Sequence, residues 1–228
     1  MRQITEKSKK SLERLESNYK IIYTVIMSAP LIVALQNMIM HTNAKTGIWD
    51  IRPWQELSIE TNLLFVVFLL FFIRFFLGDL RYLDLKYLEF KRGASHVEDY
   101  SPASRFIDFI SLVIHSIFFY MLASAITNFV YFYQILIIIL CINSAWLYFV
   151  YFKTNSVNRN RLEMASSLRW ALNNSICALI LIIVYFLNLT YLVGLSVFLF
   201  VAAVNTFADF AFSWRMYFPK IKDELMGK

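Results

Sequence analysis

An all-α membrane protein with six transmembrane helices is what this sequence predicts, on three observations. Of its 228 residues 59% are hydrophobic and only 17% charged, more apolar surface than one water-soluble core can hide. The charges are clumped, which leaves six apolar stretches of about 20 residues, enough at about 1.5 Å per residue to cross about 30 Å of hydrocarbon. The stretches are apolar throughout, whereas the strands of a membrane barrel alternate apolar and polar positions, so helices are expected.

The expected spans are Lys20 to Met40, Asn62 to Gly78, Phe106 to Asn128, Tyr131 to Phe152, Trp170 to Leu189 and Val193 to Trp214. Residues 19–214 then form the transmembrane domain, preceded by an arm (1–18) and followed by a tail (215–228). Of 22 lysines and arginines, 19 fall in the arm through Lys20, in the connections 79–105 and 153–169, or in the tail. Only Lys45 and Arg52 lie on the opposite side, in the loop 41–60, and Arg74 sits inside a span. Basic residues near helix ends stay on the cytoplasmic side, so both termini are expected there. The net charge of +6 is then a matter of topology and of anionic lipid, and nucleic acid is not an expected partner. An integral location in a bacterial inner membrane is the expectation.

Taken in chain order, the arm places Ile4, Leu12, Leu15 and Tyr19 at helical intervals among charges, which predicts an amphipathic helix on the membrane surface. Its polarity and the length of the first apolar run argue against a removable signal peptide. Pro30 is the clear interruption of a span. In the loop 41–60, Trp49 and Trp54 flank Pro53, and indoles suit the membrane interface. The second helix is expected to run on past the membrane to near Gly93, because Leu80, Leu83, Tyr87 and Phe90 keep a helical period among charges. The turns at Asn128 to Tyr131 and Asn188 to Tyr191 are so short that the helices on either side should form antiparallel hairpins, three in all. The acceptor triplet Asn188-Leu189-Thr190 hugs the membrane too closely for glycosylation. Cys141 and Cys177 fall within spans and are expected to be reduced.

Ionisable and amide side chains at membrane depth are costly, and so they face a protein interior or a water-filled cavity. Asp108, Asn173, Asn174, Asp209 and Arg74 form a shallow layer three to seven positions inside the nearest cytoplasmic basic residue, and His115, Asn143 and Asn205 a deeper one. Asp108, Ser111 and His115 share a helix face, as do Asn205 and Asp209. The expectation is a cytoplasm-facing polar cavity lined by Arg74, Asp108, His115, Asn143, Asn174, Asn205 and Asp209. Arg74 is the sharpest member, since its charge near a helix centre costs about 2.5–3.5 kcal/mol on insertion scales. Asp209 or Asp108 could pair with it, or an anionic ligand could. For His115 the sequence offers Ser111, Ser116 or a backbone carbonyl as partners. Phe71, Phe72, Phe75 and Phe76, around Arg74, read mostly as lipid-facing filler.

Catalysis is not expected. His41, His96 and His115 lack metal-ligand spacing, and no nucleophile motif, phosphate loop or carboxylate pair is apparent. No cofactor is expected either. Only Pro30 clearly interrupts a span, which argues against the broken helices of conventional secondary transporters. The expected function is that of an oligomeric channel or transporter-like protein moving an ion or small solute, with membrane lipid and further copies of the chain as its partners. The alternative is a sensor or effector responding to a cytoplasmic protein or small anion, as in bacterial stress or phage defence.

Overall fold

The computed structural model describes residues 6–42, 49–51, 58–91, 102–155, 161–187 and 190–217. The fold is helical: α1 Glu6–Ile39, α2 Ile59–Lys91, α3 Pro102–Ser124, α4 Phe129–Asn155, α5 Arg161–Phe186 and α6 Tyr191–Tyr217. Five helices are long and apolar enough to cross a membrane, in the stretches Ser17–Ile39, Ile59–Leu80, Phe129–Phe152, Ser167–Phe186 and Tyr191–Phe212. The apolar part of α3 is shorter, Phe109–Ser124.

Local chemistry places the helix starts. The Ser58 hydroxyl accepts a hydrogen bond from the Thr61 amide at 3.0 Å, and Asn128 Oδ1 accepts one from the Tyr131 amide at 3.2 Å. Both are N-caps that occupy otherwise orphaned helix donors. They set the starts of α2 at Ile59 and of α4 at Phe129. The expected surface helix of the arm is continuous with the first span, and α2 does run on to Lys91. A short antiparallel hairpin, β1 Met40–Thr42 with β2 Trp49–Ile51, occupies the loop after α1. Its strands were not expected from a region read as irregular. The remainder of that loop, including Lys45, Arg52, Pro53 and Trp54, lies outside the described residues, as do His96, Asn188 and Leu189, and the tail beyond Tyr217.

The chain divides into two compact units. The first holds α1, the β-hairpin, α3 and the part of α2 from Phe75 onward. Here α1 packs closely on α3, with Ala34 and Ala123 buried in the two helices. Asn37 Nδ2 donates to the Ala123 carbonyl at 3.0 Å. The second unit holds α2 up to Arg74 together with α4, α5 and α6. In it α4 packs on α5 and α5 on α6. Buried Ala171, Ala178 and Ala202 let these backbones approach, as small residues do in membrane helices.

The three-hairpin expectation is modified in the first unit, where the close partner of α1 is α3. The reason is compositional. Helix α2 contains neither alanine nor serine and is dense in Phe and Leu, so its neighbours meet it through long side chains.

Burial runs inside-out relative to a soluble protein. Phe207 is 76% and Phe200 69% exposed, whereas Arg74 is 4%, Asp209 1% and Asn205 0% exposed. On α2, Val66, Leu70, Ile73 and Leu77 are exposed along one helical face, the surface that lipid would solvate. Phe71, Phe72 and Phe75 are buried, which corrects their reading as lipid-facing filler. Only the exposed aliphatic face of α2 is free to meet lipid, and these phenylalanines lie on the opposite side.

Candidate functional site

In the second unit, α2 ends its contribution at Arg74, and the guanidinium reaches both α5 and α6. Its Nε donates to Asp209 Oδ2 at 2.7 Å. One terminal nitrogen donates to Asn205 Oδ1 and the other to Asn174 Oδ1 at 2.6 Å. The planar fork of arginine suits such a set, because its donors diverge toward separate acceptors. Asn205 and Asp209 are four residues apart and therefore share a face of α6. The Phe71 ring, one turn earlier on α2, lies with its centroid 5.7 Å from the guanidinium carbon, within cation–π range.

Amide bonds extend the cluster. Asn205 Nδ2 donates to Asn174 Oδ1 at 3.4 Å, and Asn173 Nδ2 donates to the Asn205 carbonyl at 2.9 Å. The two bonds that Asn174 Oδ1 accepts fix the orientation of its amide. Its Nδ2 is left buried, with no hydrogen-bond partner among the described residues.

Of the seven residues read from the sequence, Arg74, Asn174, Asn205 and Asp209 meet in this one cluster, and Asp209 is the acid that pairs with the arginine. Asn143 is buried on α4, and among the described residues no hydrogen bond joins it to the others. The side chain of Asp108 lies outside the described residues.

His115 belongs to the first unit and to a different set of partners. Its Nδ1 lies 3.0 Å from Asp79 Oδ2, and the Tyr23 hydroxyl donates to that same oxygen at 2.6 Å. Ser116, offered by the sequence as a partner of His115, donates instead to the Leu112 carbonyl at 2.9 Å. Phe75 meets the imidazole edge-on, with ring centres 5.7 Å apart, and Phe76 stacks on Tyr23 at 5.6 Å. His115 is thus described within the first unit with Tyr23 and Asp79, and Arg74, Asn174, Asn205 and Asp209 within the second.

Tyr23 and Asp79 were missed in the sequence. Asp79 follows Gly78, where the apolar run was ended, so its charge was counted as a boundary. The helix and its apolar stretch in fact reach Leu80. Nothing local links it to Tyr23 and His115, which are 56 and 36 positions away. A rule that treats the last acid of a span as buried would have found it.

Cys141 and Cys177 are both free thiols. No group of metal-ligating side chains occurs among the described residues. Comparison of the chain with protein-family models, with curated proteins and with solved structures produced no match.

Proposed function

We propose that the chain spans the membrane six times with both termini in the cytoplasm and moves an ion or small solute as an oligomeric channel or transporter-like protein. The Arg74 cluster carries this reading. Neutral amides and hydroxyls are enough to hold membrane helices together, whereas a guanidinium and a carboxylate inside apolar spans mark a place where charge is handled. The buried amide hydrogens of Asn174, left over beside Arg74, favour an incoming oxygen of an anionic or strongly polar solute. Asp209 holds the guanidinium in the resting arrangement, and the solute competes with it.

Proteoliposome flux with a panel of cations and anions tests the proposal. Wild-type protein is expected to give selective flux that Arg74→Ala abolishes. Asp209→Asn, which keeps the shape and releases the guanidinium from its counter-charge, should raise that flux. Absence of wild-type flux under every gradient sinks the proposal. Sidedness is tested separately: in sealed cells an impermeant thiol reagent should label Lys45→Cys and spare Lys91→Cys.

A second reading has its own supporting observation. Helix α1 starts at Glu6 although its apolar stretch starts at Ser17, and α2 continues to Lys91 although its apolar stretch ends at Leu80. Helical extensions bearing Lys7, Lys9, Lys10, Lys86 and Lys91 suit a sensor or effector that receives a cytoplasmic acidic partner. A flux-negative protein that co-purifies with such a partner would favour it.

A further inference from the structure

The Tyr23–Asp79–His115 cluster has no part in the solute site proposed above, and its chemistry is different. Three helices place a phenol, a carboxylate and an imidazole on one oxygen atom, with distances of 2.6 and 3.0 Å. Inter-helical adhesion alone needs no titratable pair. Imidazole is the side chain that changes charge near neutral pH.

We propose that Tyr23, Asp79 and His115 form a proton-binding site whose occupancy governs how tightly α3 is held to the Phe75–Lys91 part of α2. The ligand is the proton itself, which adds to the lone pair of the unprotonated ring nitrogen of His115, forms one N–H bond there and raises the charge of the cluster by one. The Tyr23 hydroxyl keeps its proton throughout and serves as a fixed donor to Oδ2.

Access follows from burial. The Tyr23 side chain is 1% exposed and that of His115 5%, whereas that of Asp79 is 18% exposed. The carboxylate is the edge of the cluster that a proton reaches first, and the imidazole lies behind it against Phe75.

The groups facing the carboxylate are Tyr23 from α1 and His115 from α3. On α2 itself the flanking rings, Phe75 and Phe76, are apolar. Of the charged side chains near in sequence, Lys20 lies one turn before Tyr23 on α1, whereas those of Arg81, Asp84 and Asp108 lie outside the described residues.

The link to packing is the acceptor. While Asp79 is a carboxylate, the bond from Tyr23 is charge-assisted, and so is that from His115 when Nδ1 carries a hydrogen; charge-assisted bonds are about twice as strong as neutral ones. A proton on the imidazole turns the His115 contact into an ion pair with Asp79, while the Tyr23 contact stays charge-assisted. Loading the site therefore tightens the hold of α3 on the Phe75–Lys91 part of α2.

Attenuated-total-reflection infrared difference spectra of the protein in lipid vesicles, stepped from about pH 8 to about pH 5, test this directly. Wild type is expected to show an imidazole ring change. His115→Gln should lose it, and Asp79→Asn should displace its midpoint. Tyr23→Phe should displace the midpoint by about one pH unit, about tenfold in proton affinity.

A wild-type spectrum without a ring change, or a midpoint that Asp79→Asn leaves unmoved, overturns the proposal. If a variant fails to fold, nitrogen-15 histidine resonances of the wild type decide instead, and an imidazole signal that stays flat across the same range overturns it. Because the readout is protonation and not flux, it stands or falls independently of solute movement.

Discussion

Arg74 Nε and Asp209 Oδ2 lie 2.7 Å apart, and both side chains are almost wholly buried. One comes from α2 and the other from α6, 135 positions later. The value of such a pair depends on both partners being present, because removing one leaves an uncompensated charge in a low-dielectric interior. Loss of either is expected to cost about 3–5 kcal/mol. Arg74→Leu and Asp209→Leu should each lower the thermal midpoint of the detergent-solubilised protein, and the double variant should be less destabilised than the sum of the two. Strict additivity would dissolve the pair as an energetic unit.

The two buried asparagines read alike in the sequence and differ in the structure. Asn205 accepts from Arg74, donates to Asn174 and receives Asn173 on its backbone, whereas Asn143 takes no part in that cluster. Membrane hydrogen bonds average about 0.6 kcal/mol each, so Asn205→Ala should cost about 1–2 kcal/mol more than Asn143→Ala. Thermal denaturation of the two variants side by side checks the order, and equal losses would contradict it.

Phe119 is fully buried and meets Phe75 edge-on at 5.3 Å. Ile117, two positions earlier, is 53% exposed. Phe119→Ala is expected to cost about 3–5 kcal/mol, as large-to-small changes in a packed core do. Ile117→Ala should stay within about 0.5 kcal/mol of wild type. Resistance to denaturant in mixed micelles measures both, and a larger effect at Ile117 would place the interior of α3 on the wrong face.

Gly194 sits in the first turn of α6, and a methyl group added there would meet no atom within 4 Å. Alanine in a helix loses less conformational entropy on folding than glycine, so Gly194→Ala should be neutral or stabilise by about 0.5–1 kcal/mol. If Gly194 is a hinge on which solute movement depends, the same substitution would slow flux while stabilising the fold. Comparing midpoint and flux in one preparation separates packing from hinging.

The sequence by itself determined the helices, five of the six expected long apolar stretches, and the fact that Arg74, Asn174, Asn205 and Asp209 would face inward. The reason is physical: apolar run length and the cost of charge in hydrocarbon act locally, and Asn205 with Asp209 shows its shared face in the spacing alone. Partner choice was decided by the tertiary structure. That Arg74 takes Asp209, and that His115 takes Asp79, which Tyr23 shares, in place of its own serines, depends on which helices come near. That in turn depends on where small residues let backbones approach and where the phenylalanines of α2 hold them apart. Burial of Phe71, Phe72 and Phe75 belongs to the same class, since an apolar ring suits lipid and protein interior equally well. Only the packing of neighbouring helices distinguishes the two.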